Sequence, residues 1–462
     1  MLVAGVDSST QSTKVLLCEA STGAIVAEGS APHPDGTECD PERWWQALTQ
    51  AGDGLLARAE AIGVAAQQHG MVVTDEAGQV IRPALLWNDV RSAPQATALI
   101  SEQGGPAWWA RQTGSVPSAS FTVTKLRWLA EHEPAAAART ALVLLPHDWL
   151  TWRLGGRAHP AATDRGDASG TGYFSPADGR WLPGIAESAL GHLPALPRVA
   201  GPAEVVGHTP DGTPLSAGTG DNMGAALGLG VGLGEVVVSV GTSGTAYAVA
   251  ARPAADETGL VAGFADATGR YLPLVATINA ARVLTVTARM LGTDSAGLSR
   301  LALAAPPGAQ GLTLLPYLDG ERSPNRPGAS GVLQGLTSTN TTPENLARAA
   351  VEAVLCSLAD AIGNLADCGI AAQRVILIGG AARSEAVRRV APVIFGVPVT
   401  VPEPAEYVAL GAARQAAWAL SGAAEPPRWT LAGTSREYAA AGVPEIRERY
   451  AALRDATLGW GA

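Results

Sequence analysis

The chain opens on an apolar run, "LVAGV" (2–6), that ends on an acid, Asp7. A polar turn, "SSTQST" (8–13), leads into a second run, "KVLLCEA" (14–20), and "GAIVAEGSA" (23–31) continues the pattern. Short apolar runs bounded by Gly, Ser and Thr read as strands, so a three-stranded N-terminal meander is predicted. "PERWWQALTQAGDGLLARA" (41–59) changes to helical spacing, and "AIGVAAQ" (61–67) returns to a strand. The order β-β-β-α-β belongs to mixed α/β sheets, which carry ligands at strand ends.

The pattern recurs. "GEVVVSVGTSGTAYAVAAR" (234–252) is again strand, Gly/Ser/Thr turn, strand. A helix is predicted from about residue 343 to 366, with Thr342 as N-cap and Pro343 at its first position. Its Leu346, Ala350, Val354, Leu358, Ile362 and Leu365 form one apolar stripe. "RVILIGG" (374–380) is a strand followed by a helix, and "PEIRERYAALRDATLGW" (444–460) reads as an amphipathic helix packing on the second half. Two similar halves meeting near residue 233 are expected, giving domains 1–232 and 233–462 with a nucleotide-sized cleft between them. The Gly-rich "GLGVGLGE" (228–235) is either a hinge or a set of packing glycines.

Composition agrees with a chain of that size. At 462 residues and 47% hydrophobic it can bury large cores, and roughly 100–200 residues per domain gives two to four domains. A net charge of −10 argues against nucleic acid or an anionic membrane as partner. Only two lysines occur, Lys14 and Lys125; Arg carries the rest of the positive charge. Cys18, Cys39, Cys356 and Cys368 show no metal-ligand spacing and read as buried thiols in a reducing compartment. There is no signal-peptide pattern and no uncharged apolar run of ~18 residues, so a soluble cytoplasmic protein is expected.

Two turns, "DSSTQSTK" (7–14) and "GTSGT" (241–245), are rich in hydroxyls and glycine. Backbone N–H groups of such turns converge on anions, and Ser and Thr add donors. Each alone is equally an ordinary hairpin turn; two, one at the start of each half, point to a polyphosphate. Lys14 either adds charge there or faces solvent. No P-loop pattern is present. Asp7 beside a phosphate turn makes sense with Mg²⁺ between them, or it forms an Asx-turn. The glycines of "LIGGAARS" (377–384) suit a flat ligand such as adenosine, or plain strand–helix packing.

"VAAQQHG" (64–70) ends a strand in polar side chains, which suits recognition of sugar hydroxyls; His69 could equally be a bonded core residue. "LLWND" (85–89) offers Trp87 as a stacking surface beside Asn88 and Asp89, although Asp89 could simply cap a helix. "AGTGDNMGAALGLG" (217–230) surrounds one carboxylate, Asp221, with small residues. Two readings stand: Asp221 is the N-cap of a helix beginning at Asn222, or it is a group acting on a substrate that small neighbours admit. Both together are expected, with the helix dipole favouring the ionised acid.

Several motifs resemble the FGGY family of carbohydrate kinases, within the actin-like ATPase superfamily. "SFTVTKLRWLAEH" (120–132) is similar to the family's first signature and "GVLQGLTSTNTTPENLARAAVE" (331–352) to its second. "GTSG", "GERSP" (320–324) and "LIGGAARS" add to the likeness, which runs over nearly the whole chain. "QQHG", "PALLWND" and "GTGDNMGAALG" look most like the segments of members that phosphorylate D-xylulose. Glycerol kinases carry Arg-Glu-Thr where this chain has Gln68-His69-Gly70, and many relatives carry Met where it has Gln68.

The resemblance implies an α/β fold of two actin-like (ribonuclease H-like) domains, the first binding sugar and catalysing, the second binding nucleotide. It implies ATP and Mg²⁺ as cofactors, D-xylulose as substrate and D-xylulose 5-phosphate as product, with a homodimer as a family-based expectation. Asp221 is then the general base on the 5-hydroxyl, and Gln68, His69, Trp87 and Asn222 line the sugar. Thr10, Gln11, Ser12 and Lys14, with Gly241, Thr242 and Ser243, face the ATP phosphates. Gly379, Gly380 and Ala381 carry the adenosine, and Asp7 lies near Mg²⁺. The alternatives are a kinase for another ketose, polyol or gluconate, a kinase-like sugar sensor, or a non-kinase actin-like ATPase. "LPYLDGERSPNRP" (315–327) has no physical reading from sequence.

Overall fold

The computed structural model describes residues 1–430 and 433–460. The chain forms two compact units, the first of Met1–Val231, Ala250–Pro273 and Ala405–Ala432, the second of Gly232–Val249, Leu274–Pro404 and Gly433–Ala462.

In the first unit the predicted meander is β1 (Leu2–Ser8), β2 (Ser12–Glu19) and β3 (Ile25–Pro32), paired antiparallel. β4 (Ile62–Ala66) runs parallel to β1. β5 (Val205–His208) and β6 (Pro214–Ser216) extend the sheet beyond β4, and the short β7 (Thr219–Gly220) also pairs with β4. The order is β5-β6-β4-β1-β2-β3. β1 is buried along nearly its whole length, as expected of a central strand covered on both faces. One face carries the larger core, including Val6, Val15, Leu17, Trp44, Val64 and Trp149.

The other face is covered by the helix Tyr407–Ser421, whose alanines pack on Val3, Leu16 and Cys18. Glycines set that contact. A Cβ on Gly5 would come 2.0 Å from the Ala409 carbonyl oxygen, and one on Gly63 would come 2.2 Å from that of Ala412. The predicted helix 41–59 stops at Ala51, where Gly52 caps it, and resumes only as a single turn at Leu56–Arg58.

The second unit repeats the plan. β8 (Glu235–Val240), β9 (Gly244–Ala248) and β10 (Tyr271–Thr277) form an antiparallel meander. β11 (Arg374–Ile378) runs parallel to β8, followed by β12 (Val399–Val401) and β13 (Arg436–Tyr438). The order β10-β9-β8-β11-β12-β13 matches that of the first unit from β3 to β6. The expected long helix spans Pro343–Asp367, with the Thr342 hydroxyl accepting from the Asn345 amide. It is long and apolar enough to cross a membrane, yet 72% of its most apolar window is buried inside the protein. The C-terminal helix is Pro444–Ala456. Of the four cysteines expected to be buried, Cys368 is half-exposed.

Candidate active site

The end of β1 carries the first candidate. Asp7 stands opposite Lys14 and Ser8 opposite Thr13 across the hairpin. The Asp7 carboxylate is buried and accepts from the Ser9 hydroxyl. Burial pushes its pKa up to about 6, against the opposing pull of Ser9 and Lys14. Lys14 Nζ lies 2.5 Å from Glu406 Oε2, so its charge is already partly matched. Within the turn, Thr10 Oγ1 accepts from the Trp87 indole N–H at 2.8 Å, and the Gln11 carbonyl accepts from the His33 amide. Gln11 is exposed, while Ser12 is half-buried. The structure thus brings Trp87 against the Ser/Thr turn. Asp89 caps no helix, since Ser92 precedes the helix Ala93–Glu102; it accepts instead from Arg91 and Thr37.

Asp221 corrects two expectations. Gly220, extended at φ −70° and ψ 157°, is the N-cap, and Asp221 is the first residue of the helix Asp221–Leu229. Its Oδ1 accepts from the backbone N–H (2.7 Å) and side-chain Nδ2 (2.8 Å) of Asn222, one residue on. The expected preference for the ionised form is also reversed. Burial, with the Asp7 charge, pushes the Asp221 pKa up to about 7 despite the Asn222 donors. Desolvation of a carboxylate outweighs the dipole here.

The small residues around Asp221 have a packing reason as well. A Cβ on Gly228 would come 2.0 Å from the Tyr407 carbonyl oxygen, and one on Gly411 would come 1.8 Å from that of Gly224. The helices Asp221–Leu229 and Tyr407–Ser421 therefore meet backbone to backbone. Their glycines serve that contact, which is the packing alternative for Gly228.

Asn222 links the acid to the polar strand end: its Nδ2 also donates to Gln68 Oε1 at 3.2 Å. Gln68 Nε2 and both amide atoms of the fully buried Gln67 have no hydrogen-bond partner among the described residues. His69 follows with φ +67°, a left-handed backbone that side chains rarely adopt. Its carbonyl accepts from the Thr122 hydroxyl (3.1 Å) and the buried Lys125 ammonium (3.4 Å). Its Nδ1 donates to the Gly170 carbonyl at 2.6 Å, and the ring packs against Phe121 and Phe264 at centroid distances of 4.8 and 5.7 Å. That bond fixes the ring so that Nε2 points away from Gly170 as an acceptor.

In the second unit, the turn after β8 leaves Gly241 and Ser243 half-buried and Thr242 exposed. The Gly241 and Thr242 carbonyls accept from the amides of Ala281 and Ala280, at the start of the helix Ala281–Met290. The loop without a sequence reading buttresses this point. Glu321, buried, accepts from the Ile278 amide (2.6 Å) and the Asn279 side chain (3.0 Å). At the end of β11, Gly379 has φ +91°, and a Cβ there would come 2.8 Å from the backbone of Val240. Gly380 is exposed with nothing within 4 Å of a Cβ position, and Ala381 is half-buried.

Residues 2–228 match the N-terminal domain of the FGGY family of carbohydrate kinases, and residues 236–420 match its C-terminal domain. The chain belongs to this family. It is similar to a protein named xylulose kinase from Streptomyces coelicolor, at 49% identity over 91% of this chain and 88% of that protein. It is also similar to a xylulose kinase from Escherichia coli, at 35% identity over 89% of both chains. A solved xylulose kinase from Bifidobacterium adolescentis superposes with a TM-score of 0.92 at 44% identity, covering 98% of this chain and 99% of that one.

A carbohydrate kinase has to manage the charge of a nucleotide phosphate, and the acids of this FGGY kinase fit that task. Asp7 raises Asp221, and burial raises both. A cation beside Asp7 would favour the ionised form of each. Among the described residues no group of three or more His, Cys, Asp or Glu side chains is placed to hold a metal by itself.

Thr122, Gly170 and Glu406 are brought to the site although nothing in their local sequence marks them for it, whereas Gln67 belongs to the polar strand end 64–70. Lys125 left a trace in the sequence as one of two lysines and as part of the segment 120–132.

Proposed function

We propose that this kinase transfers the γ-phosphoryl group of ATP to the 5-hydroxyl of D-xylulose, giving D-xylulose 5-phosphate. The observation that carries the reading is Asp221, a carboxylate poised near pH 7 and joined through Asn222 to Gln68, the neighbour of His69. A base with a pKa near the working pH can both exist ionised and take a proton. The likeness to proteins named xylulose kinase supports the choice of sugar.

In this reading Asp221 accepts the 5-hydroxyl proton as the phosphoryl group arrives. Gln68, through its unpartnered Nε2, and its neighbour His69 bind sugar hydroxyls, with Trp87 lining the site. The turn at Thr10–Ser12 and the turn at Gly241–Ser243 donate to phosphate oxygens, and Gly379–Ala381 supports the adenosine. In this reading the first unit serves sugar and catalysis and also offers the Thr10–Ser12 turn to phosphate, and the second serves the nucleotide. Mg²⁺, when bound with ATP, neutralises phosphate charge, and Asp7 is the residue that would hold it through water. Phosphoryl transfer depends more on placement and charge than on base strength. The enzyme is taken to be cytoplasmic and homodimeric, the latter open to a scattering mass.

The test is a coupled ADP-release assay over D-xylulose, D-ribulose, L-fuculose, D-gluconate and glycerol, with the product position read by phosphorus–carbon coupling. D-xylulose is expected to lead in kcat/KM by at least ~10-fold, since hydroxyl-matched sites discriminate strongly. A different leading sugar would replace the substrate. ATP hydrolysis indifferent to every sugar would remove the kinase reading.

A further inference from the structure

Behind Asp221 lies a group of ionisable side chains for which the proposed chemistry has no use. His147 Nε2 lies 3.1 Å from Asp148 Oδ1, 3.3 Å from Asp167 Oδ2 and 3.4 Å from Asp164 Oδ1. All four residues are buried, none more than 3% exposed. Burying so many charges is weak ground for a stabilising role. Their arrangement does give Asp164 a single placement.

Asp164 uses that placement twice. It caps the short helix Arg165–Ala168, accepting from the Gly166 and Asp167 amides at 2.9 Å each. It also accepts from the Thr219 hydroxyl at 3.0 Å. Thr219 stands two residues before Asp221, on β7, which pairs with the end of β4 that leads into Gln68 and His69. The residue before Thr219 lies against the cluster, for a Cβ on Gly218 would come 2.5 Å from His147 Nδ1.

The other end of the same turn reaches His69. The Gly170 carbonyl accepts from His69 Nδ1, and a Cβ on Gly170 would come 2.8 Å from that nitrogen. Between the ends, the Ser169 hydroxyl donates to the Gly166 carbonyl (2.5 Å) and accepts from the Ala265 amide (3.1 Å). One rigid turn thus bonds both to the segment presenting the acid and to the ring of the sugar-reading histidine.

We propose that the turn Asp164–Gly170 is a strut that fixes the spacing between Asp221 and His69, and that Thr219, anchored on Asp164, is a positioning residue for Asp221. The proposal rests on the assignment of Asp221 as base and His69 as sugar ligand. It divides the turn by phenotype: the Asp164 end governs turnover and the Gly170 end governs sugar affinity.

The experiment compares Thr219→Val, Thr219→Ser and Gly170→Ala in the full chain, with kcat and KM for D-xylulose and a melting curve for each. Thr219→Val removes the hydroxyl at nearly constant shape. It is expected to lower kcat by at least ~10-fold with KM within about 3-fold, because small misplacements of reacting groups are costly. Thr219→Ser restores the hydroxyl and should return kcat to within about 3-fold of wild type. Gly170→Ala pushes the His69 ring and is expected to raise KM by about 10-fold with kcat largely kept.

Thr219→Val with unchanged kcat, or Thr219→Ser as impaired as Thr219→Val, overturns the strut. So does Gly170→Ala with unchanged KM. If Gly170→Ala does not fold, the Thr219 pair still decides. A wild type that phosphorylates no sugar overturns the functional reading itself, and that result is seen before any variant is made.

Discussion

The two units share a strand order and differ in what they place at the same point of it. Counting back from the hairpin turn, the second cross-strand pair is Asp7–Lys14 in the first unit and Ser239–Thr245 in the second. The first unit puts a charge pair there and adds Asp221 within electrostatic reach of Asp7. The second puts two hydroxyls there, and its nearby Gly379 turn lets backbone approach the end of β8. Topology fixes where a ligand can be met; the side chains at that point decide whether the unit does chemistry or offers a surface.

The largest effect that would sharpen the contrast is at Asp221. Asp221→Asn keeps the bulk and loses the base. Turnover is expected to fall by ~10²-fold or more, with sugar affinity by calorimetry changed only a few-fold. Retained turnover would make the carboxylate structural and erase the chemical difference between the units.

Next in size is the pH response. A base must be ionised to act, so kcat/KM for the sugar should fall about tenfold per pH unit below about 7, the value to which Asp221 is raised. The same shift has a stability side. Asp221 rises from 3.8 to about 7 on folding, so its contribution is fully present below pH 3.8 and lost as pH rises through about 7. The melting temperature of Asp221→Asn relative to wild type should therefore climb between these pH values and level off above them. A flat difference would count against the raised pKa.

For the second unit, Gly380 separates surface from fold. With open space at its Cβ position, Gly380→Val should leave the melting temperature nearly unchanged. It should raise the KM for ATP by about 10-fold and spare that for sugar. Gly379→Ala, forced to φ +91° against Val240, should instead cost stability, by about 1–3 kcal/mol. The smallest effect is expected at Lys14. Glu406 already pairs with it at the half-exposed surface, so Lys14→Ala should change the KM for ATP by less than about 3-fold.

Much of the fold was legible. β1, β2, β3 and β4 follow the apolar runs, and the helix Pro343–Asp367 begins at its Thr342 cap, because burial on one or two faces imposes period and punctuation on a local stretch. The candidate residues of the site were legible largely through family resemblance. Local signals misled at Asp221, where the pattern of an N-cap hid the real cap, Gly220. They were silent on the partner of Gly224 and Gly228, the distant helix Tyr407–Ser421. His147, Asp148, Asp164 and Asp167 offered no spacing to read, since their meaning is the single place they share.

The sequence by itself determined the strands, the repeated plan and which segments carry acids, amides and glycines, because these follow from neighbours along the chain. Tertiary structure alone decided the protonation of Asp221, the partner of Lys14 and the bonds that hold His69. Each of those depends on desolvation and on groups distant in sequence, and both exist only once the chain has closed on itself.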